Sequence, residues 1–340
     1  MRPDHQNGAA RRTDTSLTWI YTNPGGHNPH ASFGPGTTLR KGPVLLHFLV
    51  AESETADERA ARRRHAGKSS GETYAATLRQ LRPEAAITIV APADDDADIF
   101  QADELRRFDA VFVTGSPLHV YDDTPEVRRQ ITFMQTVFAS GTPSFGSCAG
   151  LQLAVAAAGG TVRKMPERME AGIARRITKT AAGRDHPLLA NRAACWDAPA
   201  IHGDEVESLP ADATLLASNA VTAIQAAEIR HDGGVFWGVQ YHPELAPGEI
   251  AIALRRQAAE IVEAGLAETE TAVERIATLL DALHDDPDRR SLLWALGIDR
   301  AFADEASRRT ELINFLDYLA AAASQERRHR SSHTADVCPA

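Results

Sequence analysis

Cysteine is scarce, with three residues at Cys148, Cys195 and Cys338. An odd, sparse set supplies no disulfide framework and no CxxC metal pair. A reducing cytoplasm is the expected setting. Positive charge is also short: 36 Lys and Arg stand against 46 Asp and Glu, for a formal net charge of -10. That deficit removes the electrostatic case for nucleic acid or an anionic membrane as partner. No apolar run approaches the roughly 18 residues of a membrane-spanning helix. The opening residues, Met1-Arg2-Pro3-Asp4-His5-Gln6, lack the apolar stretch of a signal peptide. Beyond residue 250 there is neither a glycine-rich phosphate loop nor a metal-ligand cluster, so no cofactor and no metal are expected.

What is present is a core-forming chain, 43% hydrophobic over 340 residues, long enough for one large domain or two. Residues 1–42 are rich in Gly, Pro, His, Asn and Arg and can bury little; a disordered tail is expected. Their histidines His5, His27 and His30 have no helical or hairpin spacing that would fix a metal. The fold begins at 43–50, a continuous apolar run of the kind buried on both faces of a sheet. The charge-dense 52–68, with Arg62-Arg63-Arg64-His65, reads as a solvated helix or loop, with phosphate binding a weaker alternative. A helix over 71–81, a strand at 87–90, an acidic loop at 94–98 and a strand at 108–114 follow. The loop is expected to be solvated rather than to hold a cation. A helix over 126–140 leads to a short strand ending at Phe145 and a helix through Ala158. This order predicts a parallel sheet with right-handed crossovers. Candidate strands at 171–179, 193–197, 213–217, 223–229 and 234–240 come next. Helices near 250–264, 269–284, 288–296 and 304–322 then form a C-terminal helical extension over 251–325, and 326–340 is expected to fray. The extension's many leucines must pack against each other and the α/β domain, or else form an oligomer or partner surface.

The chemistry gathers at Gly146-Ser147-Cys148-Ala149-Gly150, a sharp strand-to-helix turn with cysteine at its apex and a glycine two residues to either side. This is the nucleophile-elbow spacing. Side chains at the flanking positions would collide with the strand or the helix. The sulfur sits at a helix N-terminus, where the dipole favours thiolate. A nucleophilic cysteine needs a base, and the base needs an orienting group. Tyr241-His242-Pro243-Glu244, just past a predicted strand, supplies His242 as base and Glu244 as orienter. The Ala149 N–H is one natural oxyanion donor, and Gly115 or Ser116, at the end of the 108–114 strand, offers a second. Alone, the cysteine reads as a small buried hydrophobe and His-Pro-Glu as an ordinary turn. Their conjunction at strand ends favours a Cys–His–Glu hydrolase.

Three segments, Gly146-Ser147-Cys148-Ala149-Gly150-Leu151-Gln152, His202-Gly203-Asp204 and Val239-Gln240-Tyr241-His242-Pro243-Glu244, together resemble the class I (triad) glutamine amidotransferases. The likeness is greatest to the glutaminase domain of GMP synthase and its stand-alone relatives, and it covers roughly 43–250. It implies a flavodoxin-like three-layer α/β/α sandwich with a mostly parallel central sheet. It also implies hydrolysis of the glutamine γ-amide through a γ-glutamyl thioester on Cys148. By resemblance Cys148, His242 and Glu244 are the triad, and Gly115 and Ala149 form the oxyanion hole. Gln152 contacts the substrate, while His202 and Gly203 hold its amino-acid head group chiefly through backbone. Asp204 pins that loop rather than touching substrate. Where synthase relatives have Gly-Gly-Pro, this chain has Gly115-Ser116-Pro117, and Ala149 is small where many relatives carry a larger or polar residue.

No ATP-pyrophosphatase segment, with its Ser-Gly-Gly-x-Asp-Ser loop, follows the glutaminase-like region. The expected function is therefore a glutaminase releasing ammonia to an acceptor or synthetase on another protein. The alternative is a hydrolase of γ-glutamyl amides or peptides using the same triad. Weaker alternatives are a cysteine peptidase and a non-catalytic glutamine-binding or scaffold module.

Overall fold

The apolar runs that lack alternation become the buried middle of one sheet. The computed structural model describes residues 46–166 and 169–321. The expectations for 1–42 and 326–340 lie outside the described residues. The strands are β1 (His47–Ala51), β2 (Ala86–Val90), β3 (Ala110–Val113), β4 (Ser144–Ser147), β5 (Thr161–Lys164), β6 (Glu170–Lys179), β7 (Cys195–His202), β8 (Asp204–Ser208), β9 (Ala213–Ser218), β10 (Ala226–His231) and β11 (Gly234–Val239). Nine of them form one sheet in the order β2-β1-β3-β4-β11-β10-β9-β6-β7, and β5 pairs with β8 apart from it. Neighbours from β2 to β11 are parallel. Strands β10, β9, β6 and β7 extend the sheet antiparallel. The start of this order, 2-1-3-4, is that of the flavodoxin-like doubly wound fold, in which ligands sit beyond the carboxyl ends of the strands.

The helices before β11 are α1 (Ala56–Ala66), α2 (Ser70–Leu81), α3 (Ala102–Leu105), α4 (Pro125–Ser140), α5 (Ala149–Ala157) and α6 (Ala181–Asp185). Local chemistry sets their ends. Thr55 with Glu58 and Ser69 with Glu72 form capping boxes at α1 and α2. Thr124 caps α4, Pro125 opens it, and Gly141 closes it at φ 70°. After β11 come α7 (Pro247–Arg256), α8 (Ala258–Glu263), α9 (Glu270–Asp285), α10 (Arg290–Leu296), α11 (Arg300–Ala303) and α12 (Glu305–Arg308). A last helix, α13, covers 310–321.

Alternate side chains of the parallel strands feed two cores. Phe48, Phe112, Phe145 and Trp237 face one, which includes Leu312, Phe315 and Leu316 of α13. Leu49, Val111, Val113 and Phe236 face the other, with Phe138 and the apolar side of α5. A third cluster joins α7, α9, α10 and α11 through Leu254, Leu280, Leu283 and Phe302. The extension thus packs against itself and against the sheet.

The structure differs from sequence expectation in several places. The 52–68 stretch is not simply solvated: Glu52 and Glu54 are buried, accepting backbone N–H bonds from Gly71 and Ser70 at the start of α2. The 94–98 loop keeps Asp95, Asp96 and Asp98 exposed, as expected, and is anchored besides by ion pairs from Asp94 to Arg59 and from Asp95 to Arg129. Strand 193–197 extends to His202. The short pair β5 and β8 carries mixed charge, including an Arg163–Glu205 ion pair, and so shows no apolar run. The 250–264 helix breaks at Gln257.

Candidate functional site

The site is assembled at the carboxyl ends of β3, β4 and β11. Cys148 occupies the turn between β4 and α5 at φ 54° and ψ -114°, outside the regions a side chain favours. The strain is held in place by backbone bonding, since the Cys148 N–H donates to Val239 at 2.8 Å. Both flanking glycines are sterically required. A Cβ on Gly146 would stand 2.9 Å from Phe236 Cζ, and one on Gly150 would run into the Val113 carbonyl.

Gly115, at the end of β3, has the same constraint for another reason. A Cβ there would lie 2.8 Å from His242 Cε1 and 3.5 Å from Cys148 Cβ. The imidazole, the elbow and the glycine turn therefore meet at one point. Ser116, which stands where synthase relatives have a second glycine, accepts the Leu118 N–H at 3.0 Å and so closes its own turn. Ala149 is the first residue of α5, so its N–H has no carbonyl one turn behind it inside the helix.

Behind the imidazole runs a buried relay. His242 Nδ1 meets Glu244 Oε1 at 2.7 Å, and the Ser147 hydroxyl donates to the same oxygen at 3.0 Å. The Tyr74 hydroxyl lies 3.0 Å from Ser147 Oγ, and with Ser147 committed to Glu244 it is the donor there. Burial by itself would hold His242 below its ordinary value. The Glu244 charge and hydrogen bonding with Cys148 and Glu244 prevail and push it up to about 10. Burial and the Glu244 charge push Tyr74 well above the phenol range, so it stays a neutral donor.

The expected substrate-contacting residues lie close by. The Gln152 amide donates to the Asp204 carbonyl and to Gln240 Oε1, both at 3.2 Å. His202 lines the cavity with both ring nitrogens engaged: Nδ1 meets the Asp204 carbonyl at 2.9 Å and Nε2 meets Glu170 at 3.1 Å. Glu170 also accepts from Asn219, Thr222 and Gln225. Despite burial, these bonds together hold the Glu170 carboxyl below its usual range. Gly203 has open space where a side chain would be. Asp204 ties the β7–β8 turn to the β3 loop by bonding His119 at 2.7 Å and Tyr121 at 3.1 Å. The cavity in front of Cys148 has a volume of about 730 Å³. Gln152, Gly203 and Asp204 line it, as do Glu54 and Arg62, and α7 and α8 contribute Arg256, Gln257 and Glu260. Among the described residues no group of three or more His, Cys, Asp or Glu side chains is placed to hold a metal ion.

Sequence reasoning missed the supports. Tyr74 and Ser147 back Glu244 from α2 and β4. Glu311, fully buried on α13, accepts the Tyr241 hydroxyl at 2.8 Å and a two-pronged pair from Arg192 at 2.7 Å. Tyr241 immediately precedes His242. A lone glutamate in an apolar helix face, opposite no visible partner, is the signal that was available at position 311.

The family model described as glutamine amidotransferase class-I matches residues 66–259. The chain is 35% identical over 281 residues to a gamma-glutamyl-L-1-hydroxyisopropylamide hydrolase from a Pseudomonas species, covering 81% of this chain and 93% of that protein. It is 34% identical over 157 residues to a glutamine-hydrolyzing GMP synthase from Thiobacillus denitrificans, covering 42% of this chain but only 27% of the synthase. A solved structure of a glutamine amido transferase from Methylobacillus flagellatus shares the fold at a TM-score of 0.53 and 16% identity, covering 80% of this chain and 94% of that one.

Proposed function

The chain belongs to the class-I glutamine amidotransferase family, and from that premise we propose that it hydrolyses γ-glutamyl amides of small amines through a thioester on Cys148. The observation that carries the reading is the meeting of Cys148, His242 and Gly115 at one point, with Glu244 behind the imidazole. The similarity to an amide hydrolase along nearly its whole length, against a quarter of a GMP synthase, favours an amide over glutamine with an acceptor protein.

The chemistry follows from the geometry. His242, made more basic by the Glu244 charge and by its pairing with Cys148, takes the Cys148 proton and leaves a thiolate. The thiolate attacks the γ-carbonyl carbon, and the oxyanion that forms is held by the N–H groups at Ala149 and Gly115. As the C–N bond breaks, the imidazolium gives its proton to the departing amine, leaving the γ-glutamyl thioester. A water molecule, deprotonated by His242, then attacks the thioester, releasing glutamate and restoring the Cys148 thiol. Glu244 fixes the ring orientation and stabilises the imidazolium throughout. Gln152 and the His202–Gly203 backbone hold the glutamyl head group. Glu54 and Arg62 face substituents on the amine.

Purified protein is to be incubated with γ-glutamyl-L-1-hydroxyisopropylamide, other γ-glutamyl alkylamides and L-glutamine in parallel, with glutamate release measured for each. Alkylamide kcat/KM well above that of glutamine is expected, with no turnover by Cys148→Ala. Glutamine as the better substrate would overturn the amide reading in favour of ammonia supply to an acceptor. Residual turnover by the alanine variant would overturn the mechanism.

A further inference from the structure

A second cavity, of about 600 Å³, opens between α2, α7 and the helices at the end of the chain. Two buried arginines dominate it. Arg308 is 4% exposed and Arg309 8% exposed, and the Nε of each is buried with no partner. Arg308 donates Nη1 to the Ala303 carbonyl at 3.0 Å and to that of Phe302 at 3.4 Å, and among the described residues it forms no ion pair. The carboxylates around the cavity have partners of their own, yet Glu249, Asp304 and Glu305 lie within electrostatic reach of Arg308, and Glu305 pairs with Arg309 itself. Glu249 accepts the Ala246 N–H, Asp304 caps α12 at Ser307, Asp288 pairs with Arg300 and Glu305 pairs with Arg309. Lys68, exposed at the rim, adds a further cation.

A guanidinium taken out of water without a direct ion pair, as Arg308 is, is costly, and buried N–H groups without acceptors add to the cost. Desolvation, with Arg309 adding to it, outweighs the nearby Glu305, Glu249 and Asp304 and draws the Arg308 pKa down to about 10. A ligand with two or more anionic oxygens supplies the direct ion pair that Arg308 lacks, because the planar guanidinium fork matches carboxylate and phosphate geometry. We propose that this cavity is a binding site for a small oxyanion, a phosphate or carboxylate group, held by Arg308 and Arg309 with Lys68 at its mouth. The site is separate from the cysteine cavity and does not depend on the proposed reaction. The two share a wall, since Thr73 and Glu249 line both.

The test is a titration of the full chain with sodium phosphate and, in parallel, with succinate, at ionic strength held constant with sodium chloride. Unfolding temperature and heat of binding are both read. A saturable rise of about 5 °C at a hundredfold excess over Kd is expected for at least one anion. The anion that saturates at lower concentration identifies the chemistry. Lys68→Glu, at an exposed position that leaves the core untouched, should weaken binding at least tenfold. Arg308→Met keeps the side-chain length without the charge and should abolish the response. Neither anion exceeding chloride would overturn the proposal. Unchanged affinity in Lys68→Glu would overturn it too, whether or not Arg308→Met folds.

Discussion

Replacing Glu311 by alanine tests whether the C-terminal helix holds the base-bearing loop in place. Glu311 is fully buried, and its partner Arg192 has a side chain 5% exposed. Removing the carboxylate leaves a buried guanidinium without a counter-ion, which costs about 3–5 kcal/mol. It also orphans the Tyr241 hydroxyl, for about 1–3 kcal/mol more if nothing else reaches it. Against a total stability of roughly 5–15 kcal/mol, the variant should be severely destabilised. Its midpoint should fall by about 10 °C or more. Glu311→Gln keeps an acceptor for Tyr241 but leaves Arg192 without its counter-charge, so it should cost about 3–5 kcal/mol, less than alanine by the Tyr241 contribution. The double variant Arg192→Met with Glu311→Leu leaves no bare charge, and should be more stable than Glu311→Ala despite the added substitution. Urea unfolding followed by tryptophan fluorescence measures all three, with kcat for amide hydrolysis read on the same samples. If Glu311→Ala unfolds within about 1 kcal/mol of the native chain, the reasoning is wrong.

Four further outcomes follow. In Glu244→Gln the imidazolium loses its carboxylate, so the alkaline limb of the rate profile should move down by about 1–3 pH units; a profile superimposable on the native one refutes the orienting role. His242 has a raised pKa, so its contribution to stability is complete below the ordinary imidazole range and fades as pH climbs toward about 10. Glu244→Gln should flatten that dependence in urea titrations run across pH. Gly150→Ala pushes a methyl into the Val113 carbonyl and should cost about 1–3 kcal/mol with a large loss of kcat; native-like unfolding and turnover would show the turn to be looser than described. Arg62→Ala should raise KM for alkylamides several-fold while leaving that for glutamine nearly unchanged, since Arg62 lines the cavity beside Glu54; equal effects on both substrates would place Arg62 outside amine recognition.

Much of this fold was legible because buried parallel strands announce themselves. Phe48 to Ala51 and Ala110 to Val113 are buried at every position, so their sequences contain no polar alternation to confuse the reading. The elbow was legible for a steric reason: only glycine fits at positions 146 and 150, and that spacing survives in the chain as a visible pattern. Antiparallel β5 and β8 escaped because they are short and half exposed, with ion-paired side chains that read as loop. The buried carboxylates Glu52, Glu54 and Glu311 escaped because their stabilising partners, the α2 N-terminus and Arg192, are distant in sequence. No local pattern distinguishes a paired buried glutamate from a solvated one.

One side of α13 connects the helical extension to the turn that carries Cys148. Glu311 and Phe315 are four residues apart and so share a helix face. Phe315 places its ring 5.5 Å from Phe112, 5.6 Å from Phe145 and 5.6 Å from Trp237. Those three residues stand on β3, β4 and β11, the strands whose ends carry Gly115, Cys148 and His242. Glu311, one turn earlier, grips Tyr241 beside the imidazole. The approach of His242 to Gly115 leaves no room for even a methyl group, so a small slip of one strand against another would separate His242 from Cys148. Interiors are close-packed and transmit such shifts rather than absorbing them. A single aromatic wedged behind all three strands, with a buried ion pair fixing its helix, holds the relative positions on which that contact depends. By this argument the tail supplies rigidity for the elbow whose own backbone is strained.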